Sequence, residues 1–242
     1  MQLLILKDLL PEGLAFGTSL LVEFEPDSLW YETALTLVAH ALRSGVKADY
    51  HSFQHFPDEI RENLIKLNID VRKLEDEDTL RIVDSYTSTT GLSTAQRARK
   101  SRETFQAESI RLADWSISIA QQLKAGVKEI DTRRLHIDDN TTILNRFNHE
   151  DAIVDYWRTR TLPFSRTLQL TYVHSLVVGT HSNNFYKQFE ALADGIIDFK
   201  TQEREGELEQ LVRVRVLRGR SHDSRWHRLR LLDSGELALS RQ

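Results

Sequence analysis

The chain has 242 residues, 40% hydrophobic and 28% charged, an ordinary composition for one sizeable folded domain with room for a small addition. It has no cysteine, which excludes disulfides, zinc–thiolate sites and a cysteine nucleophile, and no apolar run reaches the roughly 20 residues needed to span a bilayer. The formal charge of −4 is unevenly spread: residues 1–90 carry sixteen acidic against eight basic side chains, and the remainder is basic.

The opening MQLLILKDLLPEG is briefly apolar, but Lys7 interrupts it and no small-residue cleavage site follows. It does not read as a signal peptide, and a cytoplasmic protein without membrane contact is expected. Clusters with β character recur at 19–24, 48–53, 80–86, 134–139, 168–173 and 195–200. Helical patterns lie between most of them. Trp30, Ala34, Leu37, Val38, Ala41 and Leu42 share one helical face, and Gly45 stops that helix. Residues 57–67 begin with proline and acidic groups, as helix starts do. Residues 108–126 form a long apolar pattern ended by glycine, and 148–162 repeat it. The segment 87–106, with Arg97, Arg99, Lys100 and Arg102, is poorest in core signal and reads as a mobile loop or an exposed helix start. In GTHSNNFYKQFE a turn precedes a helix capped by Ser182 or Asn183.

Strands alternating with helices predict an α/β fold, a largely parallel sheet covered on both faces. The last forty residues differ. LVRVRVL and RWHRLRLL alternate with a period of two, which predicts a C-terminal antiparallel hairpin, about 208–239, at one sheet edge. It carries Arg213, Arg215, Arg218, Arg220, Arg225, Arg228 and Arg230, either the solvated face of strands or a basic contact surface for phosphate.

FEPDSLWYETAL follows the first strand and opens the first helix, the context of the phosphate loop G-x-x-x-x-G-K-[ST]. In that motif glycines let backbone N–H groups curl around phosphates, the lysine neutralises them and the hydroxyl holds magnesium. Laid without a gap, the eight positions fall on Phe24, Glu25, Pro26, Asp27, Ser28, Leu29, Trp30 and Tyr31. Both glycines are replaced by bulky residues, the lysine by Trp30 and the hydroxyl residue by Tyr31.

Taken in order, LPEGLAFGTSLLV, ADYHSFQHFPDEIRENLIKLNIDV, LEDEDTLRIVDSY, EALADGIIDF and VRVLRGRSHDSRWHRLRLLDSGEL resemble the KaiC/RadA branch of the RecA-like ATPases of archaea, over nearly the whole chain. The resemblance implies one RecA-like domain spanning 1–242 and a role in signal transduction or regulation. It also implies assembly into rings or filaments with nucleotide between subunits; losing the phosphate loop puts such assemblies in doubt and leaves a dimer through the hairpin edge open. Several positions depart from the family. Where it has paired catalytic glutamates, this chain has Gln54 and His55. Where the terminal hairpin carries a lysine and an arginine near a neighbour's ATP, it has Val216 and Arg218. Asp138 stands in the magnesium-side position of the Walker B strand; a strand-end aspartate capping a loop reads equally well.

A triphosphate against Glu25 and Asp27 would meet like charge, roughly 4 kcal/mol per unit pair at about 4 Å and an effective dielectric near 20. The helix, meanwhile, could take its cap from Asp27 or Ser28 and its anion from Glu32. The expectation is therefore a catalytically inactive relative with no catalytic residue, no cofactor and no metal, working through a protein partner, active relatives or itself. Two alternatives stay open: a DNA-binding accessory protein using the arginine hairpin, and a weak nucleotide site built from Asp138, Asp139 and Arg218. Neither the pair His51 and His55, nor His136 and Asp138–Asn140 with Glu150, is expected to hold a metal. No G-x-S-x-G elbow suggests a hydrolase.

Overall fold

The computed structural model describes residues 1, 6–87, 91, 92, 96, 99, 103, 117–119, 121, 122, 124–126, 131–142, 149–233 and 235–241. The expected loop at 87–106 and helix at 108–126 lie largely outside the described residues.

Nine strands form one sheet: β1 (Ser19–Phe24), β2 (Lys47–Ser52), β3 (Leu80–Asp84), β4 (Arg134–Asp138), β5 (Leu170–Val177), β6 (Gly195–Arg204), β7 (Glu207–Leu217), β8 (His227–Leu231) and β9 (Leu237–Arg241). Their spatial order is β3-β2-β4-β5-β1-β6-β7-β8-β9. The pairings from β3 across to β6 are parallel, and those from β6 to β9 antiparallel. The antiparallel part is thus a meander that starts at β6, rather than a hairpin confined to 208–239. Its tightest turn joins β6 to β7 through Glu205 and Gly206, both at positive φ, as a two-residue hairpin turn requires.

The helices are α1 (Trp30–Arg43), α2 (Pro57–Lys66), α3 (Val71–Asp76), α4 (Glu150–Tyr156), α5 (Leu162–Thr167) and α6 (Asn183–Leu192); a π-helical segment, Trp157–Thr161, joins α4 to α5. Gly45, at φ +74°, follows the end of α1 as its spacing predicts. Ser182 caps α6, its hydroxyl accepting from the Phe185 N–H at 3.1 Å. Among the described residues no helix is long and apolar enough to cross a membrane.

Period-two alternation assigns the strand side chains to two layers. On one face Leu20, Val22, Tyr50, Leu135, Ile137 and Val173 pack with Trp30, Ala34, Leu37, Val38 and Ala41 of α1. On the other, Leu21, Tyr172 and Leu176 pack with Ile153, Val154 and Trp157 and with Phe185 and Phe189 of α6. This second face also carries a polar stripe along β2, β4 and β5: Asp49, His51, Arg134, His136, Asp138 and His174, all buried.

Candidate functional site

The segment after β1 leaves the sheet in a turn whose shape its residue types dictate. Glu25 N–H donates to the Phe199 carbonyl at 3.1 Å, and Ser28 N–H donates back to the Glu25 carbonyl at 3.0 Å. Pro26 falls at the second position of that four-residue turn, where its fixed φ is favourable. The expected capping differs from what is seen. Among the described residues neither Asp27 nor Ser28 caps α1, whose N-cap is Leu29. Instead the Ser28 hydroxyl donates to the Glu25 carbonyl at 2.6 Å. Gln210 of β7 closes the helix start, accepting from Leu29 N–H at 3.2 Å and donating to the Asp27 carbonyl at 3.1 Å.

The two carboxylates turn towards β6 rather than towards the helix. Thr201 N–H donates to Glu25 Oε2 at 2.8 Å, and the Thr201 hydroxyl lies 3.0 Å from both Glu25 Oε2 and Asp27 Oδ2. The expectation that a carboxylate sits at the helix N-terminus in place of phosphate is met only by Glu32, in the first turn.

Trp30 is 2% exposed. Its ring packs 6.3 Å from Phe24 and 5.4 Å from Phe199, and its indole N–H donates to the Asp139 carbonyl at 2.9 Å, just past the end of β4. Tyr31 stacks on His55 with centroids 3.8 Å apart, and burial pushes its phenol up to about 12. Gln54 accepts from the Asn140 amide at 2.6 Å, while His55 leans on Glu59 at 3.3 Å. Burial holds the His55 imidazole below its ordinary value. The Asp139 carboxyl accepts from Phe53 N–H at 2.8 Å, and burial raises it to about 7 against that bond. The loop 24–31, Gln54, His55 and Asp139 thus gather at the C-terminal ends of β1, β2 and β4.

Asp138 lies elsewhere. It shares the sheet face away from α1 with His136, and its carboxylate is held among three imidazoles: His51 Nδ1 at 3.3 Å, His136 Nε2 at 3.0 Å and His174 Nδ1 at 2.6 Å. Burial opposes the charge, but His174 and His136 outweigh it and hold Asp138 well below the carboxylate range. His136 is raised to about 9: burial lowers it, and Asp138 and Asp49 more than reverse this. His174 is lowered by burial to about 4. Asp49 is in turn paired with the Arg134 guanidinium.

Within one chain Asp138, Asp139 and Arg218 do not come together. Leu217 pairs with Gly195, so Arg218 follows at the N-terminal end of β6, where its side chain meets the Glu190 carbonyl at 3.3 Å; the two aspartates lie at the opposite end of the strands. Glu150 does not join His136 either, since it receives the Ser182 N–H at 3.0 Å and lies 3.3 Å from His181. His51 is paired with His136 and Asp138 rather than with His55.

The basic surface is largely neutralised. Arg213 pairs with Asp198 at 2.7 Å, and Arg215 with Glu23 at 2.8 Å, Glu190 at 3.0 Å and Asp198 at 3.3 Å. Arg225 pairs with Asp223 at 2.6 Å, Arg228 with Glu209, and Arg220 reaches the Glu12 and Gly13 carbonyls at 3.3 Å.

Sequence reasoning missed His174 and the joining of His51 to His136. The signal was present: polar residues alternate in β2 (Asp49, His51) and β4 (Arg134, His136, Asp138), strands that lie inside a parallel sheet and are covered on both faces, where continuous apolar runs are the norm.

Comparison with known proteins places this geometry. A family model for the ATPase KaiC matches residues 33–236. A UPF0273 protein of Pyrococcus furiosus is 27% identical over 201 residues, 81% of this chain and 75% of its own. A UPF0273 protein of Methanocaldococcus jannaschii is 25% identical over 188 residues, 76% of this chain and 72% of its own. The crystal structure of a KaiC-like protein from Pyrococcus horikoshii OT3 superposes with a TM-score of 0.66 at 17% identity, over 96% of this chain and 94% of that one, a likeness of fold.

Proposed function

Because the chain belongs to the KaiC family of ATPases, with the RecA-like α/β fold, we propose that it is a member that has lost nucleotide chemistry and acts as a regulatory or signal-transduction protein through protein contacts in the cytoplasm. The observation that carries this reading is Trp30. It stands where the motif has its lysine, and its indole N–H is used up on the Asp139 carbonyl. An indole offers no positive charge to a phosphate. Two carboxylates, Glu25 and Asp27, flank it in the same loop, and Thr201 holds them in place. Gln54 and His55 replace the glutamates that would activate water, and neither is an anionic base. The family match begins at Thr33, two residues beyond the loop. Phe56 and Val178, each 50% exposed beyond the C-terminal ends of β2 and β5, offer a partner apolar footing at the same edge.

The test is calorimetric. A ligand that binds only the folded state raises stability in proportion to the logarithm of its concentration over Kd. Titration with magnesium-ATP is expected to give no binding heat and no change in Tm. A rise of several degrees, or turnover of ATP above background, overturns the proposal. The DNA-binding alternative has less support because four of its seven arginines, Arg213, Arg215, Arg225 and Arg228, face carboxylates within the chain.

A further inference from the structure

We infer that His51, His136, His174 and Asp138 form a closed site for one divalent transition-metal ion of the zinc class. The site lies on the sheet face away from α1 and Trp30, so it stands independently of whether nucleotide binds.

Three donors, from His51, His136 and Asp138, converge from β2 and β4, and His174 of β5 meets the same carboxylate at its other oxygen. In tetrahedral zinc sites the metal–nitrogen distance of about 2.0–2.1 Å sets neighbouring donors roughly 3.3–3.4 Å apart. Asp138 Oδ1 lies 3.3 Å from His51 Nδ1 and 3.0 Å from His136 Nε2, and the donor atoms of these three residues all fall within 4.8 Å of one another. Asp138 Oδ2 lies 2.6 Å from His174 Nδ1. That nitrogen is met by the carboxylate, whereas among the described residues His174 Nε2 is buried with no partner. A buried ring nitrogen left unsatisfied is costly unless something else uses its lone pair. A metal ion would do so.

The surroundings fit the same reading. Metal-bound histidines usually anchor their second nitrogen on a carboxylate or another polar group, which fixes ring orientation and tautomer. His136 points its Nδ1 at Asp49 Oδ2, 3.5 Å away, and His51 sets its Nε2 2.6 Å from the Ser85 hydroxyl. In each ring the nitrogen left over faces Asp138. Aromatic rings close the site: Tyr172 stacks on His174 at 4.3 Å, and Trp157, on the π-helical segment, meets it at 3.3 Å. The four side chains are 2–6% exposed, which shuts the site off from solvent and suits a structural role, a tie across β2, β4 and β5. Three imidazoles with one carboxylate suit zinc, cobalt or nickel better than magnesium, which prefers oxygen.

Because the donors are buried, the ion would have to be taken up during folding. The full chain is therefore unfolded with chelator present, refolded with Co²⁺ alone and dialysed. The expected result is one Co²⁺ per chain with the intense visible absorption of a four-coordinate ion, displaced by Zn²⁺, and a higher Tm than the chain refolded without metal. His51→Gln and Asp138→Asn should abolish that spectrum. Ser85→Ala, a gentler change, should retain the fold by circular dichroism and weaken binding about 10–100-fold, the usual effect of losing an outer partner. If His51→Gln or Asp138→Asn fails to fold, the wild-type stoichiometry and Ser85→Ala still decide. Substoichiometric metal, a weak six-coordinate spectrum, or affinity unchanged in Ser85→Ala would each overturn the inference.

Discussion

At Trp30 a single side chain fills space and makes a directed bond. Its ring is clasped by Phe24 and Phe199, and its N–H satisfies the carbonyl at the end of β4. Trp30→Ala removes both contributions and leaves a cavity, so a loss of about 3–5 kcal/mol in urea unfolding is expected. Trp30→Phe keeps most of the ring but gives up the indole bond and leaves the Asp139 carbonyl to the Ser175 hydroxyl at 2.6 Å; its loss should be smaller, about 0.5–1.5 kcal/mol. A near-neutral Trp30→Ala would mean that the ring is not packed between β1, β4 and β6. The bulk of this residue was legible in the sequence, as was its lack of charge at the start of a helix. Its partner was not, because the contact joins residues 109 apart and only the strand order brings them together.

Across elements, β1, β6, β7 and α6 meet in a cluster of three carboxylates, Glu23, Asp198 and Glu190, around two guanidiniums, Arg213 and Arg215. Acid exceeds base in a half-buried place. Burial raises Glu23 to about 7; Arg215 pulls it down, while Glu190 and Asp198 add to the rise. The folded state then binds a proton that the unfolded chain, at about 4.5, has already released. Stability from this group is full below about 4.5 and falls as pH climbs towards about 7. Denaturation at pH 5, 6, 7 and 8 should show Glu23→Gln declining less than wild type over that window; parallel curves would remove Glu23 as the source. The alternation in VRVRV gave the strand correctly, and its arginines read as a solvated face. The face is only partly wet: Arg213 and Arg215 are 32% and 31% exposed, because β7 is an inner strand of the meander and α6 lies over the face Arg215 occupies. Period two reports alternation but not which side is wet. The turn into α1 was better written in the sequence, with Pro26 at the turn position, although its closure by Gln210 depends on a strand nearly two hundred residues away.

Over the whole molecule, the acidic first ninety residues and the basic remainder are not kept apart, because folding interleaves them. Glu23 meets Arg215, and Asp49 meets Arg134. Parallel order was legible because helices must return the chain to the same sheet end, whereas pairing of charges across strands was not, because it depends on register. Non-specific DNA binding needs cations that are free to release counterions from phosphate, and its strength falls steeply with salt. Four of the hairpin arginines, Arg213, Arg215, Arg225 and Arg228, already face carboxylates. The chain, at a formal charge of −4, is therefore expected not to retard duplex DNA at near-physiological salt. Asp223→Asn releases Arg225, which lies with it in the loop between β7 and β8; Asp223 also stands 3.7 Å from His227 of β8, so the fold of the variant is checked by circular dichroism. If compensation is what silences the hairpin, this variant should bind DNA measurably better than wild type at low salt, and the gain should vanish as salt rises. Strong wild-type binding, unchanged in Asp223→Asn, would show that the ion pairs open readily and that the hairpin is a nucleic-acid surface after all.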